Sequence, residues 1–492
     1  MLFNSLEFIF FFPAVVALYF LLPHRFRWVL LLIASYYFYM CWNVKFVLLL
    51  LAATLVCYIN AIWISRSAKP FARNGLLLLT LLLLLGPLFF FKYLNFFSDA
   101  INSVFEHFNI FHQLPSHDYL LPAGISFYTF QALGYTIDVH RGNIKPEYHL
   151  GKFAVFTSFF PQLLAGPIGR AAPLMPQFSG KNNFSYADIR EGLILIIWGF
   201  FKKVVIADRL SEYVNLVYDN PYAYEGSHYL IATLFFAVQI YCDFSGYTDI
   251  ARGTARMMGI NLMVNFRLPY LATSIREFWQ RWHISLTTWF RDYVFLPLSV
   301  AVSRGIKKEK VLFIKADLFI YIVASAIVWF LTGLWHGANY TFIVWGLIHG
   351  FFLVLYQWLH KTRIKTLKKI GIRKDNPALT VFDTILTFFI VTFAWIFFRA
   401  NSMNDALLIV KNIFNFSGTY TVNLFKFPVD FTIAFISIGL LLLIEALEEH
   451  IQLFATLRSL VRPVKWAILI ALLLAVFILG KWNEANFLYF QF

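Results

Sequence analysis

Three blocks of this sequence set ionisable side chains among apolar ones, and each could do chemistry. In Leu334-Trp335-His336-Gly337-Ala338-Asn339 a histidine stands between two long apolar stretches. Histidine is the side chain that gains and loses a proton near neutral pH. In an apolar setting an imidazole rests neutral and ready to accept a proton, which suits a general base acting on a sugar hydroxyl. Gly337 and Ala338 leave room beside the ring, Trp335 offers a wall, and Asn339 could orient a carbonyl or the ring. The same residues also fit a helix-linking turn around a hydrogen-bonded histidine. A second block runs from Arg276 to Tyr293 and includes Arg281, His283, Arg291 and Asp292, interleaved with Trp and Phe. A helix charged on several faces cannot face lipid, so it lines an aqueous path or lies at the interface. Its arginines fit either headgroup snorkelling or a basic, aromatic-walled entrance for an anionic donor such as a coenzyme A phosphate. A third block, Tyr241 to Gly253, places Asp243, Ser245, Asp249 and Arg252 at the end of an apolar run. Asp249 can pair with Arg252 one turn on. That block fits a buried ion pair fixing helix packing, with direct catalysis as the alternative.

The elements that must position these blocks are membrane helices. Of 492 residues 60% are hydrophobic and 14% charged, too apolar for a water-soluble globule. Apolar runs that approach the roughly 20 residues of a span cover 8–22, 28–43, 46–64, 75–97, 118–138, 189–207, 229–248, 312–334, 340–359, 380–398, 431–447 and 464–480. Segments 153–168 and 276–300 are interrupted by Pro, Gly or charge and read as re-entrant or interfacial helices. The expectation is an all-α polytopic membrane protein with about 11–13 spans and no attached soluble domain. The net charge of +15 fits cytoplasmic loops rich in Lys and Arg, not nucleic-acid binding. Arg25 and Arg27 after the first run, and the cluster from Lys361 to Lys374, place the N-terminus outside and those loops inside. By the same rule the turn at His336 lies on the outward side or at membrane depth. No basic leader or small-residue cleavage site marks a signal peptide. Three scattered cysteines make a disulfide framework or a metal site unexpected.

Together the blocks resemble the membrane-bound O-acyltransferase family, in its bacterial branch of alginate and peptidoglycan O-acetyltransferase-like proteins. The resemblance also draws on Met1-Leu2-Phe3-Asn4-Ser5-Leu6-Glu7-Phe8, Phe91-Lys92-Tyr93-Leu94-Asn95-Phe96, Leu121-Pro122-Ala123-Gly124-Ile125-Ser126-Phe127-Tyr128-Thr129-Phe130, Leu164-Ala165-Gly166-Pro167-Ile168 and the ending Phe487 to Phe492. It implies one membrane domain over 1–492, with a catalytic core at about 118–360 and a funnel on each side. It implies that His336 is the family's characteristic histidine and His283 its second polar position. Arg281, Arg291, Asp292, Trp335, Asn339, Asp243 and Ser245 then become candidates for donor or acceptor binding. It implies acetyl coenzyme A as donor substrate, no bound cofactor or metal, a bacterial inner-membrane location and a periplasmic acetyltransferase- or esterase-like partner. Tyr489, amid the aromatic tail, resembles a hydroxyl that could carry the acyl group briefly, or an interfacial anchor. The chain departs from the family pattern after Asp292-Tyr293-Val294-Phe295-Leu296-Pro297-Leu298, where Ser299 to Arg304 replace paired glycines. Two rival functions remain: D-alanyl transfer to teichoic acid from a carrier protein, and a transporter of a small acyl compound. Transporters often carry repeated halves with matching broken helices, and none is visible in this sequence.

Overall fold

A computed structural model describes residues 1–488 except 111, 118, 312, 374, 416–423, 454–460 and 483–486. Each of the twelve apolar runs overlaps a helix. Among the described residues eight helices are long and apolar enough to cross a membrane: Val44–Arg66, Pro70–His107, Gly226–Met257, Ala316–His336, Tyr340–Lys369, Pro377–Arg399, Pro428–Ile451 and Arg462–Leu479. The remaining four runs form Leu6–Leu21, Arg27–Met40, Ile125–Arg141 and Tyr186–Phe200, of 16, 14, 17 and 15 residues. At about 1.5 Å per residue a helix of this length is shorter than the hydrocarbon core, and Tyr186–Phe200 is prolonged by the helical turns that follow it. The protein is a multi-pass, all-α membrane protein. Among the described residues the strand structure is one short antiparallel pair, Lys310 with Lys315 and Val311 with Ile314.

The chain divides into two compact units. The first holds Met1–Gly199 and Tyr247–Met263. Ser5 caps its first helix, its side chain accepting from the Phe8 N–H at 3.3 Å. Pro70 opens Pro70–His107 at a position where its missing N–H has no intrahelical partner. Polar pairs tie helices together inside: Thr54 with Thr157 and Asn60 with Thr80, both at 2.8 Å. Gly192 and Gly253 let two helices touch, because a Cβ at either would stand within 2.6 Å of the other's carbonyl oxygen. The predicted Asp249–Arg252 pair is present at 3.1 Å. Arg256 adds bonds to Asp188 at 2.7 Å and Glu191 at 3.3 Å.

The second unit holds Phe200–Gly246 and Val264–Leu488, and with them both candidate histidines. Helices along the chain differ sharply in setting. Gly226–Met257 has 83% of its apolar window buried, whereas Arg462–Leu479 has 6%. The latter presents apolar side chains outward, as a lipid-facing helix does. A π-helical stretch, Phe201–Ala207, continues directly from Tyr186–Phe200 and leads into Asp208–Asp219. Such wide turns are often found at functional sites. The 276–300 segment is broken, as expected from its charges: Ile275–Arg281, Ile284–Phe290, a π turn Arg291–Phe295 and Leu296–Gly305.

Candidate active site

His336 closes the apolar helix Ala316–His336, where Gly337 turns the backbone extended. Asn339 restarts the chain: its Oδ1 accepts from the Thr341 N–H, and its Nδ2 donates to the Asn401 carbonyl, each at 3.0 Å. Asn339 is thus engaged in capping, not in orienting the ring. The two helices of this hairpin meet through glycine. A Cβ at Gly346 would stand 2.2 Å from the Trp329 carbonyl oxygen, and one at Gly333 2.4 Å from that of Phe342. Close backbone approach fixes the hairpin and with it the histidine. The His336 ring is 3% exposed and lies edge-to-face against Trp345 at 4.8 Å, Trp335 at 4.8 Å and Phe398 at 5.0 Å. Each such contact contributes about 0.5–1.5 kcal/mol beyond its burial.

His283 is placed by hydrogen bonds instead. It sits between two short helices with φ +41, a left-handed conformation a non-glycine residue rarely holds. Asn265, 1% exposed, holds that turn. The Ser285 N–H donates to Asn265 Oδ1 at 3.0 Å and the Ser285 hydroxyl donates at 2.9 Å. Because a backbone N–H can only donate, the amide oxygen is identified. His283 Nδ1, 3.2 Å from the same oxygen, therefore carries the hydrogen. The opposite nitrogen, Nε2, holds the lone pair. Burial lowers the His283 pKa from 6.5 to about 3, so the ring stays neutral. Its faces meet Phe244 at 4.7 Å and Trp335 at 6.0 Å. Trp335, 5% exposed, thus stands beside both imidazoles. A neutral base and a second neutral imidazole on one indole can take a proton from an alcohol and steady a reacting carbonyl.

A buried charged cluster adjoins them. Lys203 Nζ lies 2.6 Å from Asp243 and 2.8 Å from Asp208. Lys202 donates to the Ser245 hydroxyl at 3.0 Å. The second Asp243 oxygen accepts from the Leu488 N–H at 3.0 Å. Phe487 rests on Phe244, 5.9 Å between ring centres, and Phe244 touches His283. Asp243 and Ser245 are therefore structural anchors for two lysines and for the chain near its end. Further along, Arg209 bonds Asp430 at 3.1 Å, and Lys481 bonds Asp430 at 2.7 Å and Glu212 at 3.0 Å.

The other predicted residues fall elsewhere. Arg281 bonds Glu277 at 2.7 Å and Glu449 at 2.8 Å, so two carboxylates hold it. Arg291 bonds its neighbour Asp292 at 2.8 Å with its side chain 59% exposed. Tyr489 lies outside the described residues. Three groups escaped the sequence reading. Lys202 and Lys203 interrupt an apolar run, and intramembrane charge was the signal that could have found them. His349, fully buried, accepts at Nδ1 from the Trp279 Nε1–H at 3.3 Å and touches Trp345 at 5.0 Å. A histidine inside a long apolar helix was its signal. Asn265 carried none, since one Asn in a loop is unremarkable in sequence. Among the described residues no three His, Cys, Asp or Glu side chains group as metal ligands.

Comparison with known proteins identifies the scaffold. The profile of the membrane-bound O-acyltransferase family matches residues 2–400. A probable alginate O-acetylase of Pseudomonas aeruginosa is 37% identical over 425 residues, covering 86% of this chain and 76% of the relative. A peptidoglycan O-acetyltransferase of Helicobacter pylori is 33% identical over 465 residues, covering 88% and 83%. A teichoic acid D-alanyltransferase of Bacillus subtilis is 29% identical over 288 residues, covering 58% and 70%. With its helical architecture and buried histidine hairpin, this chain is an O-acyltransferase and belongs to the membrane-bound O-acyltransferase family.

Proposed function

We propose that the chain moves an acetyl group from a cytoplasmic thioester to an extracytoplasmic polysaccharide, with His336 as the base. The observation that carries this reading is that His336 and His283 both lie against Trp335 in a buried aromatic wall. A thioester is already activated, so alignment and proton removal are the main tasks. His336 takes the acceptor hydroxyl proton as oxygen attacks the acetyl carbon. The C–O bond forms, the C–S bond breaks, and the departing thiolate receives the proton. His283 holds a reacting group in line. Acetyl coenzyme A is the natural donor, the inner membrane the location with the N-terminus outside, and a periplasmic partner completes transfer. The acetyl reading is preferred to D-alanyl transfer because the two acetylating relatives above match more of the chain at higher identity. The test is the base-labile acetate of the envelope polysaccharide in cells carrying wild type or His336→Ala at equal membrane levels. Loss in the variant is expected. Full acetylation by a folded variant rejects the assignment.

A second step draws support from the anchored end of the chain. Leu488 donates to Asp243, and Phe487 rests on the ring that touches His283. The next residue is Tyr489, whose hydroxyl could take the acetyl group as an ester before a partner accepts it. Mass spectrometry of the C-terminal peptide during turnover tests this. An unmodified peptide with Tyr489→Phe still active ends the idea.

A further inference from the structure

The short helix Ile275–Arg281 has two faces. Phe278 and Trp279 pack inward, where Trp279 bonds His349. Arg276 and Gln280, four residues apart, are exposed on the other side. That outer face forms one wall of a cleft of about 450 Å³. Tyr356, His360 and Arg363 form a second wall, and Thr380 and Asp383 a third.

The charges in these walls are unevenly matched. Arg363 grips both oxygens of Asp383, at 2.6 and 2.7 Å. Arg281 holds Glu277, whose other oxygen accepts from the Thr273 N–H at 2.9 Å and its hydroxyl at 2.6 Å. Arg276, by contrast, makes no ion pair among the described residues. Each carboxylate in the walls is therefore neutralised by a partner, and one guanidinium is left facing the cleft. Tyr356 and His360 lie against each other, 4.9 Å between ring centres with their planes inclined by 37°, and line the cleft with aromatic rings. Lys361, Lys365, Lys368 and Lys369 are exposed on the same helix as His360 and raise the local concentration of anions.

We propose that this cleft binds a phosphate ester and that Arg276 reads the phosphate. A guanidinium presents paired N–H donors that match phosphate oxygens. The volume lies in the range of small-molecule sites. The aromatic lining favours the nucleotide end of a soluble coenzyme thioester, since a base can stack on one of its rings. A lipid phosphodiester offers the same anion. For the nucleotide source the inference rests on the donor reading above and gives that donor its docking point.

The test uses the full chain in phosphatidylcholine nanodiscs, with coenzyme A and pantetheine as soluble probes and added phosphatidylglycerol as the lipid probe. Coenzyme A binding is measured by calorimetry, and retained phosphatidylglycerol by native mass spectrometry. Arg276→Ala is expected to weaken one of them about tenfold or more, as loss of a charge-assisted contact does, while Arg276→Lys retains most of it. A coenzyme A effect absent for pantetheine identifies the nucleotide phosphates as the source. A phosphatidylglycerol effect with coenzyme A unchanged identifies the lipid. If Arg276→Ala melts like wild type and neither probe responds, the proposal is overturned. Full transfer activity in His336→Ala, with coenzyme A binding still dependent on Arg276, would reject the catalytic reading and leave the cleft standing.

Discussion

His336 and His283 both touch one indole, yet the backbones that deliver them share nothing. His336 ends a 21-residue apolar helix, and glycine contacts pin that helix to the next. His283 sits in a left-handed turn between two seven-residue helices, held by one amide oxygen. Packing locates the first histidine and hydrogen bonding locates the second. The two should therefore fail in different ways when disturbed. Defects in the hairpin should unfold it, whereas defects at the turn should spoil chemistry before structure.

The hairpin is the more costly to disturb. Gly346→Ala sets a methyl against a backbone oxygen that cannot swing away, and should cost about 3 kcal/mol or more. Urea unfolding in detergent, with transfer activity falling in parallel, checks this. Asn265→Leu strips three donors of their acceptor and should cost about 2–3 kcal/mol. It also frees the His283 tautomer, so activity should fall about 100-fold, with Asn265→Asp restoring much of it. If Asn265→Leu keeps full rate, hydrogen bonding does not govern the turn.

A pH experiment sharpens the contrast. His283 is lowered to about 3 by burial, against 6.5 unfolded. Between those values the unfolded chain binds a proton that the folded chain refuses. Stability should thus drop as pH falls below 6.5, by about 1.4 kcal/mol per unit from this residue. His283→Gln should flatten that part of the melting-temperature profile measured from pH 8 to 5. The smallest effect is expected at the cap. Asn339→Ala removes the acceptor for Thr341 and should cost about 1 kcal/mol. A cost near zero would show that the hairpin needs glycine packing alone.

The same contrast explains what was legible in sequence. Long apolar runs flank His336, so its helices and the turn between them follow from hydropathy. Charge on every side of 276–293 signalled a broken element, and the segment is divided into short helices. The left-handed turn at His283 and its dependence on Asn265, 18 residues earlier, arise from tertiary contact and leave no local pattern. Lys202 and Lys203 were hidden because averaging over an apolar run masks two adjacent charges. Asp243, the partner of Lys203, was visible as a polar residue, but its role as an anchor depends on a pairing 40 residues apart. The arginines looked available until Glu449, remote in sequence, was found holding Arg281.

The most direct test of the account compares acetyl transfer by purified wild type and His336→Ala in proteoliposomes, with labelled acetyl coenzyme A and a polysaccharide acceptor. The account predicts a rate about 10³-fold lower in the variant, with unchanged donor affinity and melting. A folded His336→Ala that transfers within threefold of wild type would contradict it.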